Sequence, residues 1–259
     1  MTTLHTSTEA RPGLTVTTRQ AGQGNPVVLL HGAAGPDSTT TLLGHLAAGH
    51  RVVAPTHPGW DGTDRPEELD SVADLAAAYL DLLARQELDE VTVIGVSFGG
   101  WVAAEMAASG RARRIGRLVL IDSIGPRLPG HEPTMPSGPP SAVDGAARQG
   151  PPPGNMAAFR AYSGAALSDP TLLDRVRGLQ IPALLVWGEN DTVVTPEFGR
   201  LYAEAFPRGR FVLIPGGGHL PMREAPEATF AAIDEFLAAT AVSASAPNSP
   251  QQHQNGSHP

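Results

Sequence analysis

Val93-Ile94-Gly95-Val96-Ser97-Phe98-Gly99-Gly100 is a short apolar run that drops into Gly-x-Ser-x-Gly and then into a helical pattern. A strand turning this sharply into a helix forces its turning residue, Ser97, into a strained backbone conformation. Only small neighbours such as Gly95 and Gly99 let the adjoining chains pass closely enough. The Ser97 hydroxyl is thereby pushed outward. The next amide, on Phe98, sits at the start of the following helix, where free N–H groups and the helix dipole favour a developing negative charge. A glycine-flanked turn before an ordinary helix would carry the same residues, so the rest of the chain has to supply the context.

That context is an alternation of strands and helices. Residues 14–19, 26–30, 51–54, 91–94, 118–121, 182–186 and 210–214 read as strands. Between them, residues 39–48, 70–86, 98–109, 196–206 and 225–239 read as helices, the second carrying Val72, Leu75, Tyr79, Leu82 and Leu83 on one face. Such alternation predicts an α/β fold with a mostly parallel, doubly wound sheet, whose ligands bind beyond the carboxyl ends of the strands. Ser97 falls at such an end. The Gly22-Gln23-Gly24 stretch precedes a strand instead of opening a helix, so it is not a dinucleotide fingerprint.

Composition removes several function classes. The 259 residues carry a net charge of −8, and the only basic cluster, Arg111, Arg113, Arg114 and Arg117, reads as a solvated helix end. No nucleic-acid partner is expected. Every cation is arginine, so Schiff-base chemistry and a phosphate-loop lysine are excluded, and zero cysteines exclude disulfides and thiolate chemistry. No cofactor and no metal are expected, His253 and His258 being too isolated for a site. Residues 1–19 lack the charged start and apolar run of a secretory signal, and no apolar stretch reaches the roughly 20 residues of a membrane span. A cytoplasmic protein without a membrane partner is the expectation.

The Gly-x-Ser-x-Gly turn resembles the nucleophile elbow of the α/β-hydrolase superfamily, and further segments resemble it too. His31-Gly32-Ala33-Ala34-Gly35 is similar to the family's oxyanion loop, and the segment from Pro55 to Thr63 to the loop after its next strand, with Thr56 where an acid is usual and Asp61 inserted. Trp187-Gly188-Glu189-Asn190-Asp191 and Pro215-Gly216-Gly217-Gly218-His219 resemble its acid and base loops, in the chain order Ser, Asp, His. The resemblance implies that Ser97 attacks a carbonyl, that His219 takes its proton, and that Asp191 holds the imidazole. It implies oxyanion donors at the amides of Phe98 and Ala33, or Ala34. Asp122, also at a strand end, is the second candidate for the acid. His31 reads as a residue that shapes its loop, and Glu189 as a brace for the acid loop.

Residues 1–124 and 179–240 read as the hydrolase core, 125–178 as a small helical and irregular cap, and 241–259 as a disordered tail. His31, Trp60, Met135, Met156, Phe159 and Tyr162 are candidate pocket residues, the last four from the cap. Serine in place of a carboxylate points to an acyl-enzyme on an ester or related activated carbonyl of a small molecule. The same residues serve carbon–carbon bond hydrolysis, cofactor-free perhydrolysis, acyl transfer or a ligand-binding sensor.

Overall fold

The computed structural model describes residues 3–134, 142–143, 146–147 and 151–240. The first strands are β1 (Leu4–Arg11), β2 (Leu14–Ala21), β3 (Asn25–Leu30), β4 (His50–Pro55), β5 (Val91–Val96) and β6 (Ile115–Ile121). Two short ladders follow, β7 (Gly125–Pro126) with β10 (Ser168–Asp169) and β8 (Ala142–Val143) with β9 (Ala146–Ala147). The last strands are β11 (Ala183–Gly188) and β12 (Gly209–Ile214). The main sheet runs in the order β1-β2-β4-β3-β5-β6-β11-β12. From β4 to β12 every pairing is parallel, which confirms the doubly wound expectation.

The helices are α1 (Thr40–Leu46), α2 (Val72–Arg85), α3 (Phe98–Ala108), α4 (Pro153–Ser163), α5 (Leu172–Val176), α6 (Pro196–Glu204), α7 (Pro221–Glu224) and α8 (Pro226–Ala239). Successive strand residues point to opposite faces, and each face meets its own helices. Val91, Val93, Leu118, Leu120 and Leu185 pack with α2, α3 and α6. Ile94, Val96, Val119, Ile121 and Val186 pack with α1 and α8. None of the described helices is long and apolar enough to cross a membrane.

Several boundaries differ from the sequence reading. A further strand, β1, precedes the one read at 14–19, because Gly13 (φ +82°) turns the chain and lets β1 pair antiparallel with β2. The helical part of the segment read as a cap is divided in two, α4 and α5. Gly164 (φ +64°) ends α4, which starts at Pro153, a position where a missing N–H costs nothing. Arg117 lies on β6 and is buried, so it is no part of a solvated helix end, whereas Arg111 and Arg114 pair with Asp81 and Asp89 at the surface. Met135 and the predicted tail lie outside the described residues.

The elbow requires glycine for steric reasons. A methyl group on Gly99 would overlap the carbonyl oxygens of Leu30 and His31, both backbone atoms that cannot swing aside. Gly99→Ala is expected to cost at least about 2 kcal/mol in urea unfolding. Gly154→Ala, in α4 with open space around it, should cost nothing or stabilise slightly.

Candidate active site

The parallel strands end side by side, and five neighbouring ends build the site. Register pairs Leu30 with Gly95, Val96 with Ile121, Ile121 with Val186, and Gly188 with Ile214. The His31 loop, Ser97, Asp122, the Asp191 loop and the His219 loop therefore stand in that order along the edge of the sheet. Ser97 has φ 53° and ψ −115°, a sparsely populated conformation, and its N–H donates to Ile121 O at 2.9 Å. A Cβ on Gly32 would lie 3.0 Å from Ser97 Cβ, so the loop after β3 runs directly beside the hydroxyl.

Ser97 Oγ is 3.0 Å from His219 Nε2, and His219 Nδ1 is 2.9 Å from Asp191 Oδ2. Asp191 is 4% exposed, and its Oδ1 accepts the N–H groups of Val193 at 2.7 Å and Val194 at 3.2 Å. The acid and base loops are sewn together. Glu189 accepts from Gly216 N–H at 3.0 Å, and Asn190 N–H donates to Gly217 O at 2.7 Å. Gly188 lies so close to Gly218 O that no side chain fits there. Glu224 ends α7 and braces the base loop by accepting the Gly218 N–H. Asp122 is not the partner of His219. Its Oδ1 accepts Gly188 N–H at 2.9 Å instead.

A buried relay shapes the loop after β3. His57 N–H donates to His31 Nε2 at 3.0 Å, so the His31 proton sits on Nδ1 and is donated to Gly32 O at 2.8 Å. His57 Nε2–H donates to His31 O at 2.8 Å, and His57 Nδ1 accepts from Tyr79 Oη at 2.6 Å. With both nitrogens engaged and 1% exposure, His31 is held to position its loop. Trp60 Nε1–H donates to Ala33 O at 3.2 Å, fixing the same loop from above. Among the described residues, none accepts a hydrogen bond from the Ala33 or Phe98 amide.

Trp60, fully buried, stacks on Phe98 and Tyr162, and Phe159 meets Phe98 edge-on. The pocket candidates from α4 thus form an aromatic wall against the elbow, with Met156 half-buried beside it. The helix is tied to the Trp60 loop by Tyr162 Oη–H to Pro58 O at 3.2 Å. Asn155 and Asp61 add a reciprocal pair, Nδ2–H to Oδ1 at 3.1 Å and N–H to Oδ1 at 3.0 Å. Sequence reasoning missed Tyr79 and Asn155, since neither sits in a motif. No group of three or more His, Asp or Glu among the described residues is placed to hold a metal ion.

The sequence pattern of the alpha/beta hydrolase family matches residues 27–233. The chain belongs to that family. This alpha/beta hydrolase is 33% identical over 140 residues to a 2-hydroxy-6-oxo-2,4-heptadienoate hydrolase of Pseudomonas putida, a match spanning 48% of the chain and only 50% of that relative. It is 24% identical over 245 residues to lipase 3 of Moraxella sp., covering 80% of the chain and 75% of the lipase. Among solved structures it is similar to a thermophilic esterase from Thermogutta terrifontis, with TM-score 0.73, 23% identity, and 93% and 99% of the two chains covered.

The relay makes the fold of this hydrolase sensitive to acid. Burial pushes the His57 imidazole from 6.5 down to about 4, and burial with the neighbouring His57 pushes His31 well below its usual range. The unfolded chain takes up these protons near pH 6.5 and the folded chain does not, so protonation favours unfolding. Stability is expected to be full above about pH 6.5 and to fall as the pH drops toward 4, by about 3 kcal/mol from His57 alone. Urea midpoints measured across that window check it: in His57→Gln the slope should flatten.

Proposed function

We propose that this chain is a serine hydrolase that cleaves a small or medium carboxylic ester, or a related activated carbonyl, through an acyl-enzyme. The observation that carries the reading is the unbroken hydrogen-bonded line from Ser97 through His219 to Asp191, at 3.0 and 2.9 Å. Serine holds its proton too tightly to attack at neutral pH unaided. In this reading His219 Nε2 takes that proton while Asp191 fixes the imidazole tautomer and stabilises the imidazolium. The hydroxyl oxygen adds to the carbonyl, and the Phe98 and Ala33 amides stabilise the oxyanion. Each such donor is worth roughly 3 to 4 kcal/mol. The imidazolium then protonates the leaving alcohol, and water, activated by the same imidazole, releases the acid.

The names of the lipase and the esterase among the similar proteins support ester chemistry. A second reading, carbon–carbon bond hydrolysis of a hydroxy-oxo-dienoate, is supported by the name of the Pseudomonas relative and by those of similarly folded meta-cleavage product hydrolases.

Short-chain p-nitrophenyl esters should be turned over, with kcat falling by at least about 10³-fold in Ser97→Ala. A fluorophosphonate should label the wild-type protein and leave Ser97→Ala unlabelled. Undiminished turnover by the alanine variant would remove Ser97 from the mechanism. Consumption of a hydroxy-oxo-dienoate with no turnover across the ester panel would select the second reading.

A further inference from the structure

Asp122 ends β6, one strand away from Ser97, and is a buried carboxyl that the mechanism above leaves without a task. It is fully buried, at 0% exposure, and its backbone is held at φ +43°. Gly188 bridges it to the acid loop: the Gly188 N–H donates to Asp122 Oδ1 at 2.9 Å, and the Gly188 carbonyl accepts the Asp191 N–H at 3.2 Å. Asp191 is the ionisable side chain that bears most strongly on Asp122. Asp122 Oδ2 is buried and receives no hydrogen bond from any described residue. A buried acceptor with no donor is costly, and two ionised carboxylates side by side in a dry site are costlier still.

One proton relieves both costs, and the surroundings decide which carboxyl holds it. Asp191 is furnished for a negative charge, with two backbone N–H groups on Oδ1 and the imidazole on Oδ2. Asp122 has the single N–H of Gly188. The charged groups that bear on it are Asp191, from the loop after β11, and Glu224, from α7, and both disfavour a second anion. Burial first, and Asp191 next, hold the Asp122 carboxyl well above the usual carboxylate range. We propose that Asp122 is a neutral carboxylic acid whose Oδ2–H donates to the Asp191 carboxylate, making it a positioning residue that keeps Asp191 ionised and aimed at His219. The buried acceptor thereby becomes a donor with a partner. The role in turnover rests on the proposed hydrolase reading, whereas the location of the proton does not.

The test has an arm for each. An infrared difference spectrum of wild type minus Asp122→Asn at pH 7 should contain the carbonyl stretch of a protonated carboxylic acid. Carboxylate bands with no protonated-acid band would overturn the proposal, whether or not any ester is hydrolysed. In the pH profile of kcat/KM for a p-nitrophenyl ester, Asp122→Asn removes no charge if Asp122 is neutral, so the acid limb should stay in place. An ionised Asp122 would instead shift that limb to lower pH on becoming Asn, which would also overturn the proposal. Asp122→Leu, with no donor, should lower kcat by about tenfold, the equivalent of one neutral hydrogen bond, and move the acid limb upward. Asn at the same position should rescue both effects, since its amide keeps a donor for Asp191 and an acceptor for Gly188. An Asn variant as impaired as Leu would show that Asp122 does not act through a donated hydrogen bond.

Discussion

The site depends on a close approach of backbones with no side chain between them. The strand entering Ser97, the helix leaving it and the loop after β3 meet where Gly95, Gly99 and Gly32 leave room, and a methyl group on Gly95 or Gly99 would overlap a carbonyl oxygen. That crowding holds Ser97 in a conformation it would not adopt alone. It also brings the hydroxyl, the Phe98 amide and the loop that carries Ala33 into one small volume. The same constraint recurs where Gly188 meets Gly218, so the acid and base loops are positioned by contact between their main chains.

Around this frame the polar groups are arranged so that each proton has a definite home. His31 and His57 are neutral, with tautomers dictated by the backbone groups they touch, and Tyr79, kept protonated by burial, supplies the hydrogen bond that completes the relay. Asp191 collects donors, and Asp122 lies next to it with too few. Charge is therefore concentrated on the carboxylate that faces His219. A buried polar network of this kind is stable only when nearly every member is satisfied, which is why its residues are tied to backbone atoms more than to one another.

Much of this was legible in the sequence because the chemistry is written in short local patterns. Glycines flank Ser97, and Asp191 and His219 each follow an apolar run, so their positions at strand ends could be read without knowing the neighbours. What stayed hidden depends on residues that meet only after folding. Tyr79 sits mid-helix as an apparent core residue, and nothing near it in the chain points to His57. That Asp122 meets the Gly188 amide follows from the register of β6 against β11, which no local pattern encodes. Gly164 divides a stretch whose apolar spacing is continuous, and Gly13 turns a stretch whose alternation is continuous. In both, one glycine outweighs the periodicity around it.

The pairing of Asn155 with Asp61 joins α4 to the loop that carries Trp60, and Trp60 in turn holds Ala33. The helix that lines the aromatic wall and the loop beside Ser97 are thus one mechanical unit, linked through a carboxylate and an amide 94 positions apart in the chain. Loss of either partner would free α4 to move against the Trp60 loop, and with it the Ala33 segment that runs beside Ser97.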